Sequence, residues 1–399
     1  MKDKVVLAYS GGLDTSISIK WIKDKYKMDV IAALVDCGQP GDLKKARARA
    51  IDVGAYKSII IDAKKEFIDN YVFPSIKANL KYEKKYPLAT ALARPLIVEK
   101  LVDIARKEGA KAVAHGCTAK GNDQVRFDVG LRSLSPDLEI IAPLREWELS
   151  REEAIKYAME SKIKVPVTKK NPYSIDENLW GRSIECGVLE DPWEEPPEDI
   201  YQWTKITAGK DDNEYIEIGF FKGVPLSLNG KSKPAGEIIE KINKIAGSYG
   251  IGRIDMVENR LVGIKSREIY ESPAAEVIIE AHRQLESLIL DRELVHYKYF
   301  LEEKLAELVY YGYWHTPLRA CINSFIEESQ KFVTGDVRIK LGYKNFSIVG
   351  RKSKYSLYDI DLATYDKSDQ FDHKHSESFI RLWGYPYEIL GKKRGIDEK

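Results

Sequence analysis

The residues with the plainest chemical purpose lie near the N-terminus, where Ser10-Gly11-Gly12-Leu13-Asp14-Thr15-Ser16 follows a short apolar run and precedes a helical pattern. A phosphate needs several N–H donors converging on it. A helix start offers unpaired backbone N–H groups and the positive end of the dipole. Two consecutive glycines let the backbone come close and turn without a Cβ clash. The hydroxyls of Ser10, Thr15 and Ser16 add donors around the same anion, and Asp14 stands where it can cap the helix or hold a magnesium ion. The competing reading is a plain glycine turn; the buried strand before the loop and Asp-Thr-Ser after it favour the phosphate. The common nucleotide loop G-x-x-x-x-G-K-[ST] does not fit any stretch. Gly230-Lys231-Ser232 looks like its end, but Pro225 stands where the first glycine belongs.

A second constellation, His115-Gly116-Cys117-Thr118-Ala119-Lys120-Gly121-Asn122-Asp123-Gln124-Val125-Arg126-Phe127, follows another strand end. Open α/β sheets bind ligands at the C-terminal edges of their strands. A solvated loop could share this composition, yet Asn, Asp, Gln and Arg in so few positions are unusually polar for a strand-to-helix junction. His115 reads as part of the turn rather than as a base. His373 and His375, without partners, read as solvated rather than as metal ligands.

The elements that must position these groups show two grammars. Up to about residue 165, strand and helix signals alternate, as a parallel sheet requires. Strands are expected at 5–9, 30–35, 58–61, 112–114 and 139–141. Helices are expected from Asp14, over 43–53, and over 88–107 with Gly109 ending it. Ser150 and Glu153 form a capping box for a further helix. Residues 166–200, rich in Pro, Asn, Asp and Trp, read as a boundary packed along the surface. Beyond it, alternating stretches at 215–220 and 337–341 read as antiparallel strands. One long amphipathic helix is expected from Ser272-Pro273, with Ser272 as N-cap and apolar positions Val277, Ala281, Leu285, Leu288 and Leu305. The division expected is 1–165, 166–362 and a tail at 363–399, with a helix near residues 377–383.

Bulk properties set limits. The 399 residues suit two domains and a tail, and a 44% hydrophobic content suffices for buried cores. A net charge of +1, mixed along the chain, gives no nucleic-acid footprint. The four cysteines, Cys37, Cys117, Cys186 and Cys321, form no C-x-x-C pair, which argues against a zinc site and suits a reducing cytoplasm. No apolar run reaches membrane length.

The S-G-G-x-D-[ST]-S loop resembles that of the pyrophosphate-loop family of ATP-using synthetases. The Gly121-to-Arg126 segment is similar to a hallmark of the argininosuccinate synthase family. So are Tyr86-Pro87-Leu88-Ala89-Thr90-Ala91-Leu92-Ala93-Arg94-Pro95, the segment from Ser174 to Ser183, and the second-domain stretches at 252–260 and 265–273. The resemblance implies an α/β fold with an N-terminal parallel-sheet, adenine-nucleotide alpha-hydrolase-like domain and an α+β synthetase domain. It implies a ligase that joins citrulline to aspartate while ATP becomes AMP and pyrophosphate. ATP and Mg2+ are the implied cofactors, and a cytoplasmic homotetramer the implied state. ATP contacts are implied at Ala8, Tyr9, Ser10, Gly11, Gly12, Leu13, Asp14, Thr15, Ser16, Val35 and Gly116. Aspartate contacts are implied at Thr118, Asn122 and Asp123. Citrulline contacts are implied at Tyr86, Ala91, Asn122, Arg126, Ser174, Ser183, Glu258 and Tyr270. Arg126 suits a carboxylate and Glu258 an α-ammonium. Asp123, a phosphate oxygen or water could take the aspartate amine's proton. The chain departs from the family's usual residues at Val35, Ala91, Ala119 and Glu268. Ala91 stands where many members carry Ser or Thr, and Glu268 where glycine is common. Two other readings compete. A different pyrophosphate-loop enzyme would bring paired cysteines, an RNA surface or a glutaminase domain, and a nucleotide sensor would be a single small domain.

Overall fold

The structure, a computed structural model, describes residues 2–118, 121–147, 151–163, 172–209 and 211–395, without the side chains of Arg151 and Glu152. The departure at Ala119, the Ser150 cap and the Pro166 boundary lie outside the described residues. The chain forms two compact units, Met1–Tyr355 and Ser356–Lys399.

The first sheet is parallel, built from β1 (Lys4–Ala8), β2 (Asp29–Asp36), β3 (Lys57–Asp62), β4 (Ala112–Ala114) and β5 (Glu139–Ile141) in the order β3-β2-β1-β4-β5. Both faces are covered, which is why its central strands are apolar throughout rather than alternating. Val5 and Leu7 pack with Ile19, Ile22 and Ala46, from the Leu13–Tyr26 and Leu43–Asp52 helices. Val6 faces the other way, against Val98, Leu101 and Phe127, from the Ala89–Glu108 and Asp123–Leu134 helices. Gly109, at φ 64°, ends the long helix by donating its N–H to Ala105 and Arg106 carbonyls. Because β2 and β4 flank β1 on opposite sides, the chain reverses direction across the sheet at the C-terminal end of β1. That reversal opens a crevice at the sheet's carboxyl edge.

Later strands are β6 (Ser174–Asn178), β7 (Gly181–Glu185), β8 (Glu214–Phe221), β9 (Val224–Leu228), β10 (Lys231–Ser232), β11 (Arg253–Asn259), β12 (Lys265–Glu271), β13 (Gly335–Gly342) and β14 (Asn345–Lys352). They form two antiparallel sheets, β10-β9-β8-β13-β14 and β11-β12-β7-β6. The expected surface boundary at 166–200 therefore contains β6 and β7. Its polar residues belong to a half-buried sheet face, which composition alone makes resemble a loop.

The core does not stop at residue 165. Phe67, Tyr71, Ile76, Leu88 and Leu92 pack in one cluster with Ile216, Ile278, Leu285 and Ile339. The β6–β7 hairpin is pinned to the end of β2 and to the start of the long helix. The Leu179 N–H donates to the Cys37 carbonyl at 3.1 Å, and Asn178 Nδ2 donates to the Ala89 carbonyl at 2.8 Å. A Cβ on Gly38 would lie 2.8 Å from the Leu179 Cβ, so the hairpin docks only against a glycine.

Two helix expectations are corrected. The helix from Pro273 ends at Ile289, and Leu305 belongs to a second helix, Arg292–Tyr310. Asp291 breaks the run by capping the second helix, accepting from the Glu293 and Leu294 N–H groups at 3.1 Å. Ser272 precedes the first helix, but its hydroxyl makes no cap bond and lies buried without a partner. In the second unit, the expected short helix extends over Lys374–Arg394, with no buried side chain.

These two caps make opposite predictions. Asp291→Ala should cost about 1 kcal/mol in denaturant unfolding. Ser272→Ala removes only a buried, unbonded hydroxyl and should leave stability unchanged or raise it. A loss of about 1 kcal/mol in Ser272→Ala would show that Ser272 does cap.

Candidate functional site

A cleft of about 760 Å³ opens at the carboxyl edge of the parallel sheet. It is lined by Ala8, Tyr9, Ser10, Asp14, Thr15, Val35, Tyr86, Gly116, Thr118, Asn122, Asp123, Arg126, Ser174, Ser183, Glu258 and Tyr270. Residues from three motifs distant in sequence therefore share one cavity. Gly11, Gly12, Leu13, Ser16 and Ala91 do not line it.

The loop after β1 is shaped by close approach. Gly11 has φ 83°, and a Cβ there would sit 2.9 Å from the Ala46 Cβ. Gly116, at the end of β4, would bring a Cβ within 2.9 Å of the Thr15 Cγ2. Glycine at both places lets the loop and the β4 end come together. Gly12, rather than Asp14, holds the N-cap position of the first helix, leaving Asp14 in its first turn. The Ser10 and Thr15 hydroxyls are 3.2 Å apart at the helix start. The Ser16 hydroxyl turns inward and bonds the Tyr9 hydroxyl at 3.0 Å, so it supports the loop from beneath. Arg49, which the sequence reading did not single out, donates to the Gly11 carbonyl and holds the glycine turn from the neighbouring helix.

The opposite wall is the β11-β12-β7-β6 sheet. Pairing sets Asp176 against Ser183 and Ser183 against Tyr270. Alternation by two along each strand then puts Ser174, Asp176, Ser183, Glu185, Glu258, Glu268 and Tyr270 on one face, all of them lining the cleft. The other face buries Ile184 and Ile269 with Leu189 and Ile200. Strand periodicity thus gathers polar groups that the sequence scatters from Ser174 to Tyr270.

Between the walls lies a chain of buried charges and tyrosines. Asp123 accepts from Arg94 Nη2 at 2.7 Å and from Arg126 Nη1 at 2.8 Å. Arg94 also donates to Asp176. Burial pushes the Asp123 carboxyl up, but the two arginines outweigh it and hold the group below the ordinary carboxylate range. For Asp176, enclosure and the neighbouring Asp123 charge outweigh Arg94, and the carboxyl is raised. Arg126 also donates from Nε to the Tyr310 carbonyl at 2.9 Å, with its guanidinium 4.8 Å from the Tyr310 ring centroid.

Glu258 is 2% exposed and accepts from the Tyr270 hydroxyl at 2.8 Å and the Tyr310 hydroxyl at 2.6 Å. Burial raises it, against the pull of those hydroxyls and of Arg126 and Arg260. Tyr86 stacks on Tyr270 at 4.0 Å, and its hydroxyl bonds Thr90 at 2.6 Å. Leu88, held at φ 64° where a side chain is disfavoured, makes the turn from Tyr86 into the long helix. Asn122 donates from Nδ2 to the Tyr310 hydroxyl at 2.7 Å and accepts from the Leu261 N–H at 2.9 Å. Ala91 is fully buried, and its N–H donates to the Tyr86 hydroxyl at 3.4 Å. Glu268 lies beside Glu185, and both accept from Arg260 Nη2 at 2.5 Å. Burial and the two neighbouring carboxylates push Glu268 up to about 8. His115 is buried and bonds Asp128 at 2.8 Å, the structural place expected of it. Among the described residues no group of His, Cys, Asp and Glu makes a metal cluster.

Arg94, Asp176 and Tyr310 went unassigned in the sequence reading. Arg94 and Asp176 stand inside motif segments, so the signal was present without a role attached. Tyr310 had none, as one tyrosine at the end of an amphipathic helix. Its hydroxyl nevertheless joins Asn122 to Glu258. Tyr310→Phe should lose about 1–3 kcal/mol of stability by leaving a buried carboxylate and amide short of a partner. An unchanged unfolding midpoint in denaturant would remove that bridge from the account.

The chain matches a family model described as the arginosuccinate synthase N-terminal HUP domain over residues 4–164. It matches another, described as the arginosuccinate synthase C-terminal domain, over residues 173–390. It is similar to an argininosuccinate synthase of Dictyoglomus turgidum, 60% identical over 395 residues, covering 98% of this chain and 99% of that protein. The one from Dictyoglomus thermophilum is 60% identical with both chains fully covered. That of Oceanobacillus iheyensis is 56% identical over all of this chain and 96% of its own length.

Proposed function

The chain belongs to the argininosuccinate synthase family and joins L-citrulline to L-aspartate through a citrullyl-adenylate, releasing AMP and pyrophosphate; from this premise we propose how the cleft does it. The observation that carries the assignment is that the β1 loop, the Asn122-to-Arg126 turn and one face of the β11-β12-β7-β6 sheet open into one cavity.

The β1 loop holds the β- and γ-phosphates of ATP, with Ser10, Asp14 and Thr15 facing them and Ala8, Tyr9, Val35 and Gly116 beside the nucleotide. Gly11, Gly12, Leu13 and Ser16 complete the loop, and its backbone N–H groups meet the phosphates. Citrulline lies against the sheet wall. Its α-carboxylate meets Arg126, whose Nε and Nη1 donate to Tyr310 and Asp123 and whose further donors lie on Nη2 and Nη1. Its α-ammonium meets Glu258, held in place by two tyrosine hydroxyls. Ser174, Ser183, Tyr86, Tyr270 and Asn122 fix its length, with Ala91 behind Tyr86. Thr118, Asn122 and Asp123 receive aspartate. The ureido oxygen is a poor nucleophile, so the protein's main contribution is to hold it in line with the α-phosphorus. Loop N–H groups stabilise the departing pyrophosphate.

Mg2+ fits this donor set: Asp14, Ser10 and Thr15 present oxygens alone, as a hard cation bound largely by phosphates requires. When bound it supplies charge neutralisation on the phosphates. Exposed Phe379, Ile380, Trp383 and Tyr387 on the Lys374–Arg394 helix support a homotetramer assembled through the 363–399 tail. The 1–165 segment then holds the nucleotide together with the aspartate turn, and the 166–362 segment supplies the sheet wall for citrulline. Four unbridged cysteines support a cytoplasmic location. No described helix is long and apolar enough to cross a membrane, and near-neutral charge supports small-molecule rather than nucleic-acid partners.

Purified protein with ATP, Mg2+ and citrulline should release pyrophosphate, and should form argininosuccinate only once aspartate is added. Absence of that product would falsify the assignment. Arg126→Lys keeps the charge but loses the fork, and should raise the citrulline KM about 10- to 100-fold with ATP binding retained. An unchanged citrulline KM would remove Arg126 from the carboxylate.

A further inference from the structure

We propose that Asp176 is the catalytic base that takes the proton from the aspartate amine, and that Asp123 is a binding and positioning group instead. The inference rests on the substrate placement above and deepens it.

The case begins with what Asp123 is already doing. Each of its carboxylate oxygens has its own arginine: Oδ2 accepts from Arg94 and Oδ1 from Arg126. Two charge-assisted bonds make a carboxylate a poor acceptor, because protonating it would strand two buried guanidinium groups. Asp176 receives Arg94 alone of the two and keeps more of its side chain open, 41% against 30% for Asp123. Its place inside the cleft and the neighbouring Asp123 charge also raise its carboxyl, bringing it nearer the basicity of an amine.

Position supports the same choice. Because one Nη2 atom of Arg94 touches both carboxylates, Asp176 lies immediately beside Asp123 and hence beside the aspartate subsite. Along the sheet it stands opposite Ser183, whose hydroxyl donates to the Asp176 carbonyl at 3.3 Å, and Ser183 stands opposite Tyr270. Asp176 is therefore where the citrulline wall meets the aspartate turn, the place where the new C–N bond must form.

The other candidates are engaged or unsuited. The Cys117 thiol is raised by burial, and Cys37 is pushed up to about 12, so neither is a thiolate. His115 is fully buried and bonded to Asp128. Glu258 carries two tyrosine hydroxyls, and Glu268 shares Arg260 with Glu185.

The step balances without another reactant. The aspartate ammonium gives one proton to the Asp176 carboxylate and becomes the neutral amine. Its lone pair attacks the central carbon of the citrullyl-adenylate, the C–N bond forms, and the C–O bond to AMP breaks. AMP departs with the electron pair of that bond. The second amine proton leaves on the AMP phosphate, and the product retains a protonated guanidinium.

The test separates the two half-reactions. In Asp176→Asn, exchange of labelled pyrophosphate into ATP, with citrulline present and aspartate absent, should stay within about threefold of wild type. Argininosuccinate formation should fall about 10²- to 10⁴-fold, the range of a lost general base. Hydroxylamine, which is unprotonated at neutral pH, should displace AMP from the adenylate at the same rate in variant and wild type. Asp176→Glu should recover part of the lost rate, and Asp123→Asn should act mainly through the aspartate KM. Three results overturn the proposal: Asp176→Asn retaining synthesis within tenfold of wild type, exchange falling in parallel with synthesis, or hydroxylamine slowed as much as aspartate. Failure of the wild-type protein to make argininosuccinate would instead overturn the functional reading itself.

Discussion

One guanidinium joins the two halves of the cleft. Arg94 projects from the long helix beneath the parallel sheet and binds Asp123 on the turn after β4 and Asp176 on β6. Without it Asp176 would lose its arginine partner, and Asp123 would be left with Arg126 alone. Replacing either acid by its amide would keep an oxygen acceptor for the arginine and remove only that acid's charge. The pair also explains why the two carboxyls move in opposite directions. The acid with two arginines is lowered and the acid with one is raised. A shared cation thus divides two adjacent, chemically identical groups into an anchor and a base.

The rest of the geometry follows from how each wall is built. A parallel sheet leaves its strand ends open where the order reverses, so the phosphate loop and the Asn122 turn must lie side by side. An antiparallel sheet alternates, so polar residues at every second position along the four strands of two hairpins become a single surface. The hairpin pinned by Leu179 and Asn178 brings that surface over the strand ends. Glycine occurs where these pieces touch, at Gly11, Gly38 and Gly116, because a single methyl group would hold them apart.

This division sets what could be read from the sequence. The parallel half was legible nearly strand by strand, since mostly apolar runs of three to six residues bounded by helix signals admit few other arrangements. Its phosphate loop was legible because the contacts are local. The substrate wall was not. β6 and β7 are mostly polar and read as a boundary, since one face meets a wet cleft and the other includes the buried Arg182–Glu271 pair. The break at Asp291 was missed because Pro273–Ile289 and Arg292–Tyr310 continue one apolar rhythm, and only a capping carboxylate divides them. Tyr310 illustrates the general limit. A residue defined by partners 52 and 188 positions away leaves no local trace.

Glu268 shows how a departure from the common residue can be absorbed. A carboxylate beside Glu185 and near Glu258 adds negative charge where an ammonium is to be recognised, which would weaken discrimination by spreading the attraction over three acids. Arg260 prevents this by bonding Glu185 and Glu268 together. With Glu268 pushed up to about 8, it is largely protonated near neutrality. Arg260 also bonds Glu185 at 2.5 Å, so its charge is directed at that side chain and this part of the wall attracts an ammonium little. Glu258 is left as the carboxylate whose charge is directed by hydroxyls instead of cancelled by a bonded cation. Hydroxyl donors orient a carboxylate without neutralising it, and that distinction suits Glu258, rather than the acids around it, to an ammonium.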